Sequence, residues 1–232
     1  MLLPPSEGKA LGGNGVRWSE DSGSFDALAP RRRAVVDALA ACGGGDPKLL
    51  GVGGDHLTRA QSANATLLGA ATLPAWQRYT GVVWDHLDPA SLDAAQRRRI
   101  LVVSGLLGVV RGDDPVPDYR LKMGANLSPL GKLSTWWRDD VSASLNRYAA
   151  GRTAKRPRVI VDLLPKEHRA AWIPDTGLRG VSIEFVDPTG KPGGHFAKAA
   201  KGSLAAMILR NGLDVIDSWN DDRFELSVTL LN

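Results

Sequence analysis

The sequence predicts a mixed α/β or α+β domain. Apolar runs of strand length stand at 1–3, 100–103, 158–163, 181–186 and 224–230. Segments with helical apolar spacing lie between them, and the alternation follows no strict repeat. At 232 residues, 43% hydrophobic and 23% charged, the chain has ordinary soluble composition and the length of one large domain or two small ones. We expect a single domain over 1–232. The basic stretch 149–157 then reads as a surface loop, because the strands on both sides of it belong to one sheet.

In chain order, residues 1–3 form a short strand that enters a loop at Pro4-Pro5, and the glycine-rich polar run 8–24 is irregular. Pro30 opens a helix to about Ala41, with Val35, Val36 and Leu39 as its apolar stripe. Asp46-Pro47 opens the next helix: Asp caps orphan N–H groups and Pro fills the first helical position, which needs no donor. The turn Gly51-Val52-Gly53-Gly54 interrupts it, and 55–68 reads as a second helix. Asp88-Pro89 repeats the cap-plus-proline signal for a helix through Arg97-Arg98-Arg99. A buried-type strand at 100–103 follows, then a helix over 134–148 carrying Trp136, Trp137, Val141 and Leu145. Strands at 158–163 and 181–186 come next, with Pro188-Thr189-Gly190-Lys191 as a hairpin turn. A helix over 196–210 is stopped by Asn211-Gly212, and a strand at 224–230 closes the domain.

Net charge of +4 and a pI of about 9.4 favour anionic partners, while ribosomal or histone-like proteins are far more basic. The single cysteine, Cys42, excludes an intramolecular disulfide and fits a reducing compartment; it reads as an ordinary small apolar residue. Met1-Leu2-Leu3-Pro4-Pro5 has no signal-peptide pattern, and no apolar run reaches membrane-spanning length. The expectation is a cytoplasmic protein with no membrane partner, monomeric by default. Four His and one Cys form no metal-ligand spacing, so no metal site is expected.

The most informative stretch runs from Val102 through Ser104-Gly105-Leu106 to Arg111, then Asp118-Tyr119-Arg120-Leu121-Lys122-Met123-Gly124. An apolar run that ends in a small polar turn delivers polar groups to the floor of a cleft. Three of those groups, Arg111, Arg120 and Lys122, are cations, which points to a phosphate-bearing client. A second candidate is Lys48-Leu49-Leu50-Gly51-Val52-Gly53-Gly54, with Arg59 beyond it. Its apolar-Gly-apolar-Gly pattern is that of a helix-hairpin-helix element, whose exposed backbone N–H groups hold phosphate without reading bases. The same pattern also fits a plain glycine turn, and the helix before it is only about one turn long.

Ser6 and Lys9, after the first strand, lack the spacing of a P-loop but can line a cleft at the strand's end. Arg78-Tyr79-Thr80-Gly81 with Trp84 offers stacking and a cation, although core packing explains Trp76, Trp84, Trp136 and Trp137 more simply. Lys198 and Lys201 lie three apart near a helix start, where cations oppose the helix dipole. Arg31-Arg32-Arg33 and Arg97-Arg98-Arg99 read as solvated faces.

Five of these segments occur together, in order and over nearly the whole chain: 2–9, 78–82, 104–111, 118–124 and 195–202. In that combination the chain resembles the YaaA family of peroxide stress resistance proteins. The resemblance implies a single α/β domain of unusual topology, a mixed sheet flanked by helices, with a helix-hairpin-helix element and a positively charged cleft. It implies binding to duplex or distorted DNA, a role in limiting peroxide and iron-driven damage, and no cofactor. It also implies that Ser6, Lys9, Tyr79, Ser104, Arg111, Tyr119, Arg120, Lys122, Lys198 and Lys201 converge on one cleft, and that Lys48, Gly51, Gly53, Gly54 and Arg59 form the DNA-binding hairpin.

Two functions follow. One is a non-sequence-specific DNA-binding protein of the oxidative stress response that holds the phosphate backbone. The other is an enzyme acting on a nucleotide or nucleobase-like small molecule, motivated by the concentration of hydroxyls and amines in the cleft set. No acidic pair or Ser/His/Asp set is legible, so no catalytic residue is assigned.

Overall fold

Near-continuous apolar runs become the middle of a sheet. In the computed structural model, which describes residues 1–151 and 158–231, Leu2–Leu3 (β1) pairs in parallel with Leu101–Ser104 on one side and with the Ile160–Asp162 strand on the other. The first half of the chain runs β1, α1 (Ala29–Ala41), α2 (Pro47–Leu50), α3 (Gly54–Ala65), β2 (Thr72–Pro74), α4 (Ala75–Arg78), α5 (Val82–Leu87) and α6 (Ala94–Arg98). Then come β3 (Leu101–Ser104), β4 (Gly108–Arg111), β5 (Pro115–Pro117), β6 (Asn126–Leu127), β7 (Gly131–Lys132), α7 (Leu133–Trp136) and α8 (Arg138–Ala150). The last part is β8 (Ile160–Asp162), α9 (Lys166–Arg169), β9 (Gly180–Val186), α10 (Lys198–Asn211) and β10 (Glu225–Leu230).

The main sheet has six strands in the order β10-β9-β8-β1-β3-β4. Its four inner strands are parallel and its two edges antiparallel, which makes a mixed sheet. Leu2, Leu3, Leu101, Val102 and Val103 are completely buried, as expected for parallel strands covered on both faces. From β1 the chain goes to β3 on one side and later returns to β8 on the other. The carboxyl ends of β1, β3 and β8 therefore share one edge of the sheet, at the point where the strand order reverses. That is where open α/β sheets place their ligands.

Several elements depart from the sequence reading. The Asp88-Pro89 signal does not start the predicted helix: Asp88 has φ 45°, closes α5, and leads into a short 3-10 turn at Pro89–Ser91. Asp93 caps instead, accepting from Gln96 N at 2.7 Å while the Gln96 side chain accepts from Asp93 N at 2.8 Å. β2 and β5 escape sequence reading because Pro74 and Pro115, which face each other in the ladder, are counted against strands. The turn 188–191 closes only an isolated bridge between Val186 and Pro192, and the true partner of β9 is β10. Of the basic loop expected at 149–157, residues 152–157 lie outside the described residues.

The arginine triplets are not solvated faces throughout. Arg32 is fully buried; it donates to the carbonyls of Leu107 and Val109 at 3.0 Å and also to those of Glu20, Ser22 and Ser24. Its guanidinium covers the outer edge of β4. Arg97 lies over the Trp76 ring at 4.1 Å, and Arg99 donates to Leu209 O. Trp84 and Trp137 are core residues, each with its indole N–H on a backbone carbonyl. Gly202 lets α10 touch α5, since a Cβ there would stand 2.3 Å from Val83 O. Among the described residues no helix is long and apolar enough to cross a membrane.

Candidate functional site

The stretch 118–124 owes its shape to an alternation of period two. Tyr119, Leu121 and Met123 are buried, while Asp118, Arg120 and Lys122 are partly exposed on the other side. The apolar set anchors the segment beside Ser104-Gly105, where a Cβ at Gly105 would stand 2.9 Å from Lys122 O. The charged set therefore lines up on one face, which meets the β1 loop and α3.

Between them lies a cavity of about 260 Å³ bounded by Lys9, His56, Arg59, Asp118, Tyr119 and Arg120. Arg59 reaches across it to Asp118 at 3.0 Å. The Glu7 carboxylate bridges Arg120 at 2.8 Å and Lys122 at 3.6 Å. Burial pushes the Glu7 carboxyl up, but Lys122 and Arg120 together hold it below its ordinary value. The cleft is thus a lattice of ion pairs rather than a bare cationic surface.

Lys9 is different. Its backbone is fixed by a bridge to Tyr79, and Ala10 N donates to Arg78 O at 2.9 Å. Its Nζ donates to Ser6 O at 2.9 Å and sits 4.1 Å from the centre of the Tyr119 ring, with no carboxylate at ion-pair distance among the described residues. Burial lowers its pKa from 10.5 to about 7; Asp118 opposes the shift, while Arg120 and Arg78 add to it. The unfolded chain keeps this proton up to about 10.5, so between about 7 and 10.5 unfolding takes up a proton and stability rises with pH. We expect Lys9→Met to exceed the wild type by roughly 3 kcal/mol at pH 6, with the gap closing towards pH 10. Urea unfolding at a series of pH values measures this, and a pH-independent difference counts against it.

Beneath Lys9 runs a chain of hydroxyls. Ser104 Oγ accepts from Leu106 N and Leu107 N at 3.3 Å, which leaves its own proton to donate to Tyr119 Oη at 2.6 Å. Tyr119 Oη lies 3.0 Å from Tyr79 Oη. Burial raises both phenols, Tyr119 to about 12, so both stay neutral. Ser6 Oγ accepts from Thr80 N at 2.9 Å and ties the loop after β1 to the start of α5.

The glycine turn is bolted to this cavity. Asp46 caps α2 by accepting from Leu49 N at 2.7 Å, and α2 is a single turn ending at Gly51, φ 65°. Arg120 Nε donates to Leu50 O at 3.0 Å, and a Cβ at Gly51 would stand 2.5 Å from Lys122 Nζ. Asn64 of α3 brackets the Arg120 peptide, donating to its carbonyl at 2.9 Å and accepting from its N–H at 2.9 Å. Sequence reading missed Asn64, Glu7, His56 and Asp118; the period-two alternation at 118–123 was the available signal for Asp118. Lys48, Gly53 and Gly54 are exposed at the turn, and the start of α3 has no side-chain cap.

Of the ten residues expected in the cleft, Lys9, Tyr119 and Arg120 line this cavity; Ser6, Tyr79, Ser104 and Lys122 bond to its walls without lining it, and Arg111, Lys198 and Lys201 do neither. Arg111 faces Leu101 in the β3–β4 ladder, whereas Ser104 faces Gly108. At about 3.3 Å per residue, Arg111 stands some 10 Å from the Ser104 end, and its guanidinium lies 5.6 Å from the Tyr148 ring. Lys198 is exposed at the first residue of α10. Lys201 donates to Leu163 O at 2.6 Å, at the carboxyl end of β8. Near it, buried Asp162 accepts from Arg169 at 2.6 Å, and Arg169 also pairs with Glu184 at 2.8 Å.

The model describing the peroxide stress protein YaaA family matches residues 1–226. A UPF0246 protein of Streptomyces coelicolor is 39% identical over 222 residues, which is 91% of this chain and 83% of that one. A UPF0246 protein of Corynebacterium efficiens is 33% identical over 212 residues, 90% of this chain and 84% of the relative. One from Dinoroseobacter shibae is 33% identical over 171 residues, 69% of this chain and 61% of the relative.

Proposed function

The chain belongs to the peroxide stress protein YaaA family, and from that premise we propose that it acts in the stress response by binding nucleic acid through its phosphates. In this reading the turn between α2 and α3 tracks the backbone, and the Lys9 cavity receives one nucleotide-sized group. The observation that carries the reading is the Glu7 carboxylate held between Arg120 and Lys122. It is an anion of the chain itself, seated where a phosphate oxygen has the same two partners. The Glu7 side chain is 65% exposed, so the pair is weak and exchangeable. The cavity's 260 Å³ suits a single nucleotide or smaller group and not a duplex. Distorted or single-stranded substrates are therefore favoured over regular duplex.

The test is fluorescence anisotropy with duplex, bubble and single-stranded oligonucleotides between about 50 and 200 mM salt. Affinity is expected to fall steeply with salt, with bubble and single strand tighter than duplex. Glu7→Gln, which frees the anion seat, is expected to tighten binding about three- to tenfold. A flat salt response, or weaker binding by Glu7→Gln, counts against the proposal. One observation favours the other reading, an enzyme acting on a nucleotide-like small molecule in the same cavity: Lys9 is an amine without a carboxylate partner at ion-pair distance among the described residues.

A further inference from the structure

We propose that Lys9 is a covalent amine, whose Nζ condenses with an aldehyde carried on a phosphate ester to form an imine inside the cavity. The inference rests on the reading of that cavity as a phosphate-binding site.

The geometry separates Lys9 from the other described lysines. Lys48, Lys132, Lys166, Lys191 and Lys198 are exposed, and Lys122 pairs with Glu7. Lys201, whose pKa burial lowers to about 8 against the opposing charge of Asp162, donates to Leu163 O and does not line the cavity. Lys9 alone of these combines a wall position in the cavity with an aromatic face under the nitrogen. A nucleophilic amine must be unprotonated and within reach, and a nearby carboxylate pair defeats the first condition. Here Asp118, the carboxylate that acts most on Lys9, is engaged by Arg59. Burial brings the ammonium to about 7, so a large fraction is free amine at neutral pH.

The Tyr119 ring has a second use. An imine nitrogen that takes up a proton becomes a fixed cation. The π face 4.1 Å from Nζ accommodates that cation, as it does the ammonium, without adding a carboxylate to the site. Tyr119 holds its orientation because its hydroxyl is locked between Ser104 and Tyr79.

In the reaction the Lys9 lone pair attacks the aldehyde carbon and the C=O π pair moves to oxygen, which gains a proton. The carbinolamine then loses water, whose two hydrogens both derive from the amine nitrogen, and a C=N bond remains. No oxidant, reductant or metal enters the balance. The phosphate is placed by Arg120 and Lys122 after it displaces Glu7. Such an aldehyde has two sources: the ring-opened sugar of an abasic site within a nucleic-acid strand, or a free sugar phosphate.

The experiment is borohydride trapping of the full chain at pH 7. The probes are an oligonucleotide with one abasic site, 2-deoxyribose 5-phosphate, and unphosphorylated 2-deoxyribose. The expected product is a secondary amine carrying the mass of the aldehyde less one oxygen, mapped to the peptide containing Lys9. It is expected at least tenfold above any other lysine and above the unphosphorylated sugar, and it is lost in Lys9→Arg. Which phosphorylated probe reacts identifies the source. Mapping on the wild-type chain locates the adduct even if Lys9→Arg folds poorly. No borohydride-dependent adduct at Lys9, an even spread over exposed lysines, or equal labelling by the unphosphorylated sugar overturns the proposal. Salt-dependent oligonucleotide binding without an adduct overturns the imine alone. An adduct from the free sugar phosphate with no oligonucleotide binding at any salt overturns the nucleic-acid reading and leaves the imine standing.

Discussion

Arg32→Met is expected to lower the unfolding free energy by about 3–5 kcal/mol, a large part of the total for a domain of this size. The wild-type guanidinium donates to five backbone carbonyls, two of them on the outer edge of β4 and in the turn before it. Methionine keeps most of the volume and removes every donor. Leu107 O and Val109 O are then left in an interior that water does not reach. The adjacent Arg31 is the control: it pairs with Asp140 at a site about one-third exposed and covers Trp136. Arg31→Met is expected to cost less than about 1 kcal/mol. Urea titration of both variants checks the contrast, and equal losses would mean that burial does not separate the two neighbours.

The second large effect is functional. Arg120→Ala is expected to weaken oligonucleotide binding more than tenfold and to lower the salt slope by about one unit. Arg120 ends in the cavity, and its Nε also holds the last carbonyl of α2. The variant therefore removes the proposed phosphate partner and loosens the glycine turn together. Arg111→Ala is expected to leave affinity unchanged, because Arg111 stands at the other end of the β3–β4 ladder. Anisotropy titrations of both variants measure this. Equal losses would mean that the field of the whole protein, and not the cavity, dominates binding.

The local chemistry of this chain was legible without its fold. Asp46-Pro47 named its own cap and α2 its one-turn length. The buried runs named the inner strands, and the motif segments named the family, which the match over 1–226 shows. Other features were hidden for definite reasons. Prolines masked β2 and β5 because their ladder is a two-stranded ribbon that tolerates missing donors. Asp93 displaced Asp88 as the cap because the reciprocal bond of Gln96 completes it.

Sequence by itself determined which residues are polar, which runs form the inner strands, and where α1 and α2 begin. These follow from propensity and period, which act over a few residues. Only the tertiary structure decided which cations share a site. Arg31 and Arg32 are neighbours in the chain, yet one is at the surface and the other is covered by five carbonyls. Arg111 and Arg120 belong to one motif, yet the β3–β4 ladder places Arg111 at the opposite end from Ser104, beside which Arg120 packs its segment. Burial brings the Lys9 ammonium to about 7, and Arg120 and Arg78 add to the shift from parts of the chain 69 or more residues away. Desolvation and charge–charge contact act through space, and no spacing along the chain encodes them.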